Sequence, residues 1–514
     1  MYKGIDEMNK FKFNGMTQKS LFFLIIAALF TFSNSLPISA SETDIASESM
    51  IVVTLDNHTV INDYYLGNGA QWDPYQQNYG NGTISISDAD WQKLYDRLDF
   101  MRPQLIRMMI NTPSFFKDDQ IIPEKDMEVL FKMLDYCQQK QIAVVFGDWG
   151  GSVIRRRTEV NAVNLKHAAE FVDYLVNKKG FNCIKYYNFI NEPNGDWSAT
   201  NGSYPLWANA IGQFYENLKE MKTNNKINII GPDIAIWTKA ESWWIDSCNY
   251  HLGNIINLYD IHTYPSKITV NSGKYSQIIQ AYINKVPKDK KAIMGEIGLK
   301  FVEKADSAYN QENIKRAKSK KYASTEDSQM FVYDYMYGTD MADALSQAVN
   351  AGYSGSVVWM LDDAMHSKEA PDKLKIWGFW NILGDEFFGS EEEIVRPWYY
   401  AWSLLTKYMP AGSKIYKSEV QGDSGVKSIF SGKDGKYMIA LVNVSKEPKE
   451  VKLTSAAIQY VKDCKQFIYS DGTLKKEGDH TLLPNAANLA LNLKKGVSLT
   501  LPSESLVVYT SFDY

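Results

Sequence analysis

The sequence predicts an α/β protein, a (β/α)8 TIM barrel followed by a C-terminal antiparallel β-sandwich. Eight short apolar runs alternate with longer amphipathic segments over residues 63–408. The runs are continuously apolar rather than alternating, as parallel strands are when both of their faces are buried. From residue 409 to 514 the helical segments stop, and strand-like runs alternate with turn signals.

Each apolar run of the first region has the length of a strand. We predict barrel strands at residues 65–72, 105–110, 142–149, 183–191, 227–232, 258–264, 292–296 and 356–361. The segments between them predict helices that include 88–100, 128–139, 163–177, 206–221 and 330–351. Eight such units fit a (β/α)8 barrel with inserted loops. A doubly wound open sheet is the alternative, but no glycine-rich phosphate loop follows the first strand.

The C-terminal region is predicted to be an accessory β-sandwich over residues 409–514. Strand-like runs occur at 438–442, 466–469, 498–501 and 506–509. Turn signals separate these runs, as in antiparallel sheets. A further apolar run at residues 50–60 precedes the first barrel strand, and we expect it to join the sandwich as an extra strand.

The N-terminus has the pattern of a cleavable export signal. Basic residues precede an apolar run at 21–32, and small residues follow at 39–41. The apolar run is too short to span a bilayer. We therefore predict a signal peptide over residues 1–40 and a secreted or periplasmic mature protein.

The composition argues against several classes of partner. The net charge is −5, and the chain has no evident basic patch or long charge run, so neither nucleic acid nor a membrane surface is expected. The cysteines match no metal or redox spacing and are expected to be free and buried: Cys137, Cys183, Cys248 and Cys464. We expect a monomer that binds carbohydrate and uses no cofactor and no metal.

Two motifs that each contain a glutamate follow predicted strands. Asn-Glu-Pro at 191–193 ends the fourth strand with Glu192, and Gly-Glu-Ile-Gly at 295–298 ends the seventh with Glu296. Catalytic groups of TIM barrels lie at the C-terminal ends of the strands, so the two carboxyls should face each other. Cleavage of a glycosidic bond requires such a pair. Each motif alone is weak evidence, but His-Thr-Tyr at 262–264 on the sixth strand strengthens the joint pattern.

The other strand ends offer further polar and aromatic side chains. Arg107 ends the second strand, Trp149 the third, His262 and Tyr264 the sixth, and Trp359 the eighth. Hydrolysis with retained configuration needs one protonated and one ionised carboxyl at the same pH. An arginine and a tyrosine hydroxyl beside one glutamate would stabilise its charged form.

With these motifs the chain resembles the clan A glycoside hydrolases, family 5 above all, with families 30 and 39 as near relatives. The resemblance covers the barrel, and the sandwich is similar to the accessory domain of families 30 and 39. It implies a retaining mechanism in which Glu192 is the general acid/base and Glu296 the nucleophile. It also implies an enzyme that cleaves O-glycosidic bonds, β-linked ones, in a poly- or oligosaccharide, and the predicted signal peptide would make this enzyme a secreted one.

The resemblance also implies roles for the surrounding residues. Asn191 would contact the sugar 2-hydroxyl, and Arg107 and Tyr264 would steady Glu296. His262 would line the acid/base side, and Trp359 would form the floor of the subsite for the reacting sugar. The chain departs from family 5 at residues 147–150, Gly-Asp-Trp-Gly, where members often carry a histidine. Trp149 in that run is a candidate for stacking on sugar.

Three other functions are alternatives to this one. A metal-dependent barrel hydrolase needs clustered histidine ligands, but the six histidines are scattered and no two share a strand end. A non-catalytic carbohydrate-binding barrel would keep the aromatic cleft without hydrolysis. A transglycosylase would use the same residues with another acceptor. The last two remain open at this point.

Overall fold

Eight parallel strands close into a barrel in which each strand pairs with its neighbours in chain order. The computed structural model describes residues 50–75, 78–79, 82–83, 86–365 and 373–514. The barrel strands are β1 (Gly67–Gln71), β2 (Leu105–Ile110), β3 (Ala143–Asp148), β4 (Ile184–Phe189), β5 (Asn228–Ile236), β6 (Ile256–Thr263), β7 (Lys291–Ile297) and β8 (Gly355–Val358). The predicted TIM barrel is confirmed. The predicted signal peptide at 1–40 lies outside the described residues.

Helices connect the strands and surround the barrel. They are α1 (Asp88–Met101), α2 (Glu128–Gln139), α3 (Ala162–Asp173), α4 (Tyr204–Glu220), α5 (Trp243–Leu252), α6 (Lys267–Asn271), α7 (Lys274–Ile283), α8 (Ser307–Ser319), α9 (Tyr335–Ala351), α10 (Gly384–Phe387) and α11 (Trp398–Lys407). Two-residue strands form small hairpins in the loops, at Asn78–Tyr79 with Gly82–Thr83, Phe116–Lys117 with Gln120–Ile121, Ile154–Arg155 with Glu159–Val160, and Lys476–Glu477 with Thr481–Leu482. Within the described residues, no helix has the length and apolar character needed to cross a membrane.

The fifth strand is longer than the sequence indicated. The predicted strand ends at Pro232, which has no N–H to donate, and prolines are rare inside central strands. The structure continues β5 to Ile236 through a register shift between Pro232 and Ile234. Asp233 is the extra residue of this bulge, with a left-handed φ of 60°. Bulges are common at barrel rims beside active sites, where they re-aim a side chain.

Nine strands form a second, mostly antiparallel sheet, which confirms the predicted C-terminal β domain. The strand Ile51–Asn62, called the N-terminal strand below, lies inside this sheet. The other eight strands are β9 (Lys414–Gln421), β10 (Val426–Lys433), β11 (Lys436–Asn443), β12 (Lys449–Thr454), β13 (Tyr460–Tyr469), β14 (Ala486–Asn492), β15 (Val497–Leu501) and β16 (Ser505–Thr510). The N-terminal strand pairs antiparallel with β9 and parallel with β12, so the sheet is not purely antiparallel.

The two faces of this sheet bury different cores. One face contributes residues such as Val53, Phe430 and Leu441 to a hydrophobic core that is formed within the β domain alone. The other face contributes Met438 and Val508 to the core that it shares with the barrel. Helix α9 packs in that shared core, and every residue from 337 to 349 is buried. The described residues from 50 to 514 accordingly form one compact unit.

The four cysteines are buried and unpaired, as the sequence predicted. Burial raises the pKa of the Cys183 thiol to about 12 and that of Cys464 to about 11. These thiols are therefore protonated core residues at neutral pH, and thiolate chemistry is not expected of them.

Two glycines inside long helices give a matched test of this packing. A Cβ at Gly338 in α9 would lie 2.3 Å from Tyr469 Oη of the sheet, whereas a Cβ at Gly212 in α4 meets nothing within 4 Å. We expect Gly212→Ala to raise the free energy of unfolding by about 0.5–1 kcal/mol through helix propensity. Gly338→Ala should lower it by about 1–3 kcal/mol through overpacking. Denaturant titration measures both, and a Gly338→Ala protein as stable as Gly212→Ala would contradict this packing.

Candidate active site

The two predicted glutamates meet at the C-terminal ends of the barrel strands. Glu296 lies in β7, and Glu192 follows β4 by three residues. One carboxylate oxygen of each glutamate and one ring nitrogen of His262 lie within 4.8 Å of one another. Glu296 is buried, whereas Glu192 is partly exposed at the cleft. The structure therefore brings these three predicted site residues together.

A turn with left-handed backbone conformations directly follows β4 and places Glu192 at the cleft. Ile190 has a φ of 72° and Glu192 a φ of 46°, in the region that β-branched residues in particular avoid. The Ile190 N–H donates to Asp148 O at 3.1 Å, which ties the turn to the neighbouring strand β3. Gly150 packs on Ile190 so closely that a Cβ there would lie 2.8 Å from Ile190 Cγ1. Strained backbone that neighbours hold in place is typical of functional sites.

The glycines of the Gly-Glu-Ile-Gly motif make room for site residues. A Cβ on Gly295 would lie 2.4 Å from Asp260 Oδ2, and a Cβ on Gly298 would lie 2.8 Å from Tyr264 Cε1. Each glycine therefore admits a side chain of the adjacent strand end that any larger residue would displace. The glycines of this motif, which lie in and directly after β7, are therefore a packing requirement around Glu296.

Both oxygens of Glu296 accept hydrogen bonds. Arg107 Nη1 donates to Oε1 at 2.5 Å, and Tyr264 Oη donates to Oε2 at 2.6 Å. Burial by itself would lower the pKa of Arg107, but the charges of Asp233 and Glu296 raise it. Burial and the neighbouring Glu296 raise the pKa of Tyr264 well above its usual range. Glu296 is thus held between a permanent cation and a neutral hydroxyl donor.

Arg107 also fixes the polar side chains around Glu296. Its Nη2 donates to Asn191 Oδ1 at 2.8 Å, and its Nη1 donates to Gln71 Oε1. Gln71 in turn donates to Asp73 Oδ2 at 2.9 Å. With its carbonyl oxygen occupied by Arg107, Asn191 keeps its NH2 group for a ligand in the cleft.

His262 links the two glutamates to a buried carboxylate. Its Nδ1 lies 3.2 Å from Glu192 Oε1 and 3.6 Å from Glu296 Oε1, and its Nε2 lies 2.6 Å from Asp233 Oδ1. Burial alone would lower the pKa of His262, but the charges of Asp233 and Glu296 raise it well above its usual range. The ring is therefore an imidazolium at neutral pH, with Asp233 as its counter-ion.

Asp233 is a site residue that the sequence analysis missed. Although burial favours its neutral form, His262 and Arg107 lower its pKa. Its neighbour Asp260 has the opposite shift, because burial and the charge of Asp233 raise its pKa well above the usual range. Among the described residues no donor reaches either oxygen of Asp260. The pair is therefore one ionised and one protonated carboxyl.

Aromatic side chains flank the polar centre. Trp149 and Trp359, both half-buried, meet edge to face with ring centroids 6.1 Å apart. Trp197 donates its Nε1–H to Glu192 Oε2 at 2.7 Å and packs edge to face on Trp237 at 5.7 Å. The Trp197 and Trp237 side chains are 43% and 44% exposed. The sequence does not predict the contact between Trp197 and Glu192. The two residues are five positions apart in a loop, where no helical or strand periodicity relates their side chains.

The acidic groups could in principle gather around a cation. Two sets place their ligand atoms within 4.8 Å of one another, namely Glu192 with His262 and Glu296, and Asp233 with Asp260 and His262. Arg107 already supplies positive charge to both sets, through Glu296 at 2.5 Å and Asp233 at 3.4 Å. A protonated His262 is also no metal ligand. The donor chemistry therefore fits an internal ion-pair network better than a metal centre.

Comparisons with known proteins identify the fold. No protein-family model matches the chain, and no curated protein matches its sequence. Solved structures do match. A GH30 endoxylanase from Clostridium papyrosolvens C71 superposes with a TM-score of 0.60 at 12% identity, over 90% of this chain and 99% of that one. The fold resemblance to family 30 is confirmed.

Two further structures extend that likeness. An α-L-arabinofuranosidase from Thermotoga maritima has a TM-score of 0.58 at 14% identity, over 90% of this chain and 99% of that one. A GH39 β-xylosidase from Caulobacter crescentus has a TM-score of 0.56 at 13% identity, over 89% of this chain and 99% of that one. The barrel with its β domain is thus an architecture that glycoside hydrolases use, and identities this low bear on the fold alone.

The charge state of His262 is open to direct test. We expect Asp233→Asn to lower the pKa of His262 toward about 6.5, the value of an unperturbed histidine. Asp260→Asn is the matched control and should lower it much less, because Asp260 is protonated and lies 4.0 Å from Nε2. NMR titration of histidine-labelled protein measures both.

The same ion pair has a consequence for stability. A His262 pKa raised on folding stabilises the native state fully below the unfolded-state pKa, and this contribution is lost as pH rises through the folded-state pKa. Asp233→Asn should remove that pH dependence. An unchanged His262 titration in the variant would contradict the assignment of Asp233 as the counter-ion.

Proposed function

We propose that the chain is a retaining O-glycosyl hydrolase acting on β-linked poly- or oligosaccharides. The observation that carries the proposal is the approach of Glu192 and Glu296, whose nearest oxygens lie within 4.8 Å. Retaining glycosidases hold their two carboxyl groups about 5–5.5 Å apart, whereas inverting enzymes leave about 6.5–9.5 Å for a water molecule. The short separation favours direct attack by one carboxylate on the anomeric carbon.

Glu296 is proposed as the nucleophile. Arg107 and Tyr264 each donate to one of its oxygens, which holds the carboxyl group in one orientation. Fixed donors of this kind need no rearrangement when charge moves to the sugar. Attack by a carboxylate oxygen then breaks the bond to the leaving oxygen and forms a glycosyl ester on Glu296.

Glu192 is proposed as the general acid/base. It is partly exposed to the cleft and is oriented through both oxygens, by His262 at 3.2 Å and by Trp197 at 2.7 Å. It would give its proton to the leaving oxygen in the first step and take one from water in the second. Asn191, with its NH2 group free of Arg107, is placed to donate to a sugar hydroxyl.

The half-buried aromatic pair is proposed to bind the sugar itself. Trp359 and Trp149 line the cleft on the side of Arg107, whose guanidinium carbon lies 5.9 Å from the Trp149 ring centre. Aromatic faces suit the C–H faces of sugar rings. We further propose that the protein is exported through the signal peptide at residues 1–40, that residues 63–408 and 409–514 are its two domains, and that it acts as a monomer.

Isosteric substitutions of the two glutamates test the proposal. Glu296→Gln should lower kcat on aryl β-glycosides and polysaccharides by on the order of a thousandfold or more, because the nucleophile is lost. Glu192→Gln should lower kcat on natural linkages by about 10²–10⁴-fold. Its kcat on aryl glycosides with good leaving groups should fall less, because such leaving groups need little protonation. Glu220→Gln, at the exposed end of α4, is the control and should match the wild type.

The same assay separates the alternatives. A non-catalytic carbohydrate-binding barrel would have no activity for Glu296→Gln to remove, and sugar binding without turnover across a broad glycan panel would contradict the proposal. A transglycosylase would lose activity in both variants, but product sizing of the wild type would reveal chains longer than the substrate. Anomer-resolved NMR of the first product would contradict a retaining mechanism if it showed inversion.

A further inference from the structure

Three consecutive arginines lie in the loop that follows β3. The chain contains 55 lysines and arginines, of which only eight are arginine, and three of those are Arg155, Arg156 and Arg157. The run is too short to alter the overall charge by much, so the composition alone does not reveal it. Arg97, Arg107 and Arg396 are buried and each pairs with a carboxylate. Arginine suits such ion pairs because its forked guanidinium matches the geometry of a carboxylate.

The backbone does not explain the identity of two of these arginines. The strands Ile154–Arg155 and Glu159–Val160 form a hairpin, and Thr158 N donates to Arg155 O at 3.0 Å across its turn. Arg156 and Arg157 occupy the turn with left-handed φ values of 51° and 61°. Turns of this shape prefer asparagine and glycine, and a long side chain is disfavoured there. Side-chain chemistry is therefore the better explanation for arginine at both positions.

The two turn arginines line a cavity that borders the candidate active site. The cavity has a volume of about 510 Å³, and its walls include Arg156, Arg157, Trp149, Asn191 and Trp197. Trp149 contacts Trp359, Asn191 contacts Arg107, and Trp197 contacts Glu192. A glycan bound at the glutamates would therefore extend into a space with aromatic walls and two guanidinium groups at its edge.

The guanidinium groups at this edge are exposed and available to a ligand. Among the described residues, no carboxylate lies within ion-pair distance of Arg155, Arg156 or Arg157, and Arg157 donates only to Asn201 Oδ1 at 3.3 Å. The protein as a whole carries a net charge of −5 and would repel an acidic polymer. Two adjacent arginines beside the cleft locally reverse that repulsion.

We propose that Arg156 and Arg157 bind an anionic substituent of the glycan, a carboxylate or a sulfate, in this cavity. Guanidinium groups pair with such planar or multi-oxygen anions through two parallel hydrogen bonds. The Trp149 and Trp197 rings would contact the faces of the sugar that bears the anion. The inference rests on the proposed glycoside hydrolase function and adds to it the substrate class, an acidic glycan.

The test compares matched substrates and matched variants. A uronate-containing β-glycan oligosaccharide, its carboxyl-reduced counterpart and a sulfated oligosaccharide are each assayed for kcat/KM. The selectivity ratio is kcat/KM for the acidic substrate divided by kcat/KM for its carboxyl-reduced counterpart. Arg156→Gln and Arg157→Gln should each lower this ratio by on the order of tenfold. Arg155→Gln removes the same charge from the residue next to the turn, outside the cavity lining, and should preserve the ratio. Salt should lower the wild-type ratio and have little effect on that of the double variant.

Binding provides a second readout that needs no turnover. Calorimetry of the wild type and of the Arg156→Gln/Arg157→Gln double variant with the same oligosaccharides reports affinity directly, and thermal unfolding checks that both proteins are folded. Comparing the affinity for the sulfated oligosaccharide with that for the uronate-containing one shows which anion the cavity binds.

The outcomes separate this inference from the proposed function. Hydrolysis without any preference for the acidic substrates, or a ratio that Arg155→Gln lowers as much as Arg156→Gln does, would overturn the arginine site and leave the glycosidase proposal standing. No hydrolysis of any substrate, together with arginine-dependent binding of the acidic oligosaccharide, would overturn the glycosidase proposal and support the anion site.

Discussion

The buried guanidinium of Arg107 is the interaction on which the polar centre depends. It contacts Glu296, Asp233, Asn191 and Gln71 from a position with no exposed surface. Removing one partner of a buried ion pair leaves an uncompensated charge, which costs about 3–5 kcal/mol. Loss of Arg107 would therefore leave both Asp233 and Glu296 without the guanidinium that they share. His262 supplies the second cation of the same network.

Local backbone geometry, rather than side-chain identity alone, brings these groups into contact. Ile190 and Glu192 leave β4 in left-handed conformations, and Asp233 leaves the ladder of β5 in a bulge. Both devices occur at the same rim of the barrel, where the strands end and their regular pairing no longer constrains side-chain direction. The rigid barrel holds this strained geometry in place, because Gly150 and Asp148 pack and bond against the turn.

The sequence predicted the fold well because buried parallel strands leave a strong local signal. The predicted bounds of β2 and α2 coincide with Leu105–Ile110 and Glu128–Gln139. Asp233 was missed because Pro232 argues against a continuing strand, and only the tertiary pairing with β6 carries the chain past it. The sequence placed Glu192 and Glu296 at strand ends, but their separation depends on tertiary structure. The roles of these residues remain proposals.

The electrostatics of the site change from its centre to its edge. At the centre every described charge has a partner, so that Glu296, Asp233 and His262 compensate one another with Arg107. Such a closed network presents no net attraction to a charged ligand. At the edge, Arg156 and Arg157 have no carboxylate partner among the described residues and face the cavity beside Trp149. A bound substrate can still stabilise charges that have no partner within the folded protein. Such unpaired charges destabilise the fold least when they lie in an exposed loop.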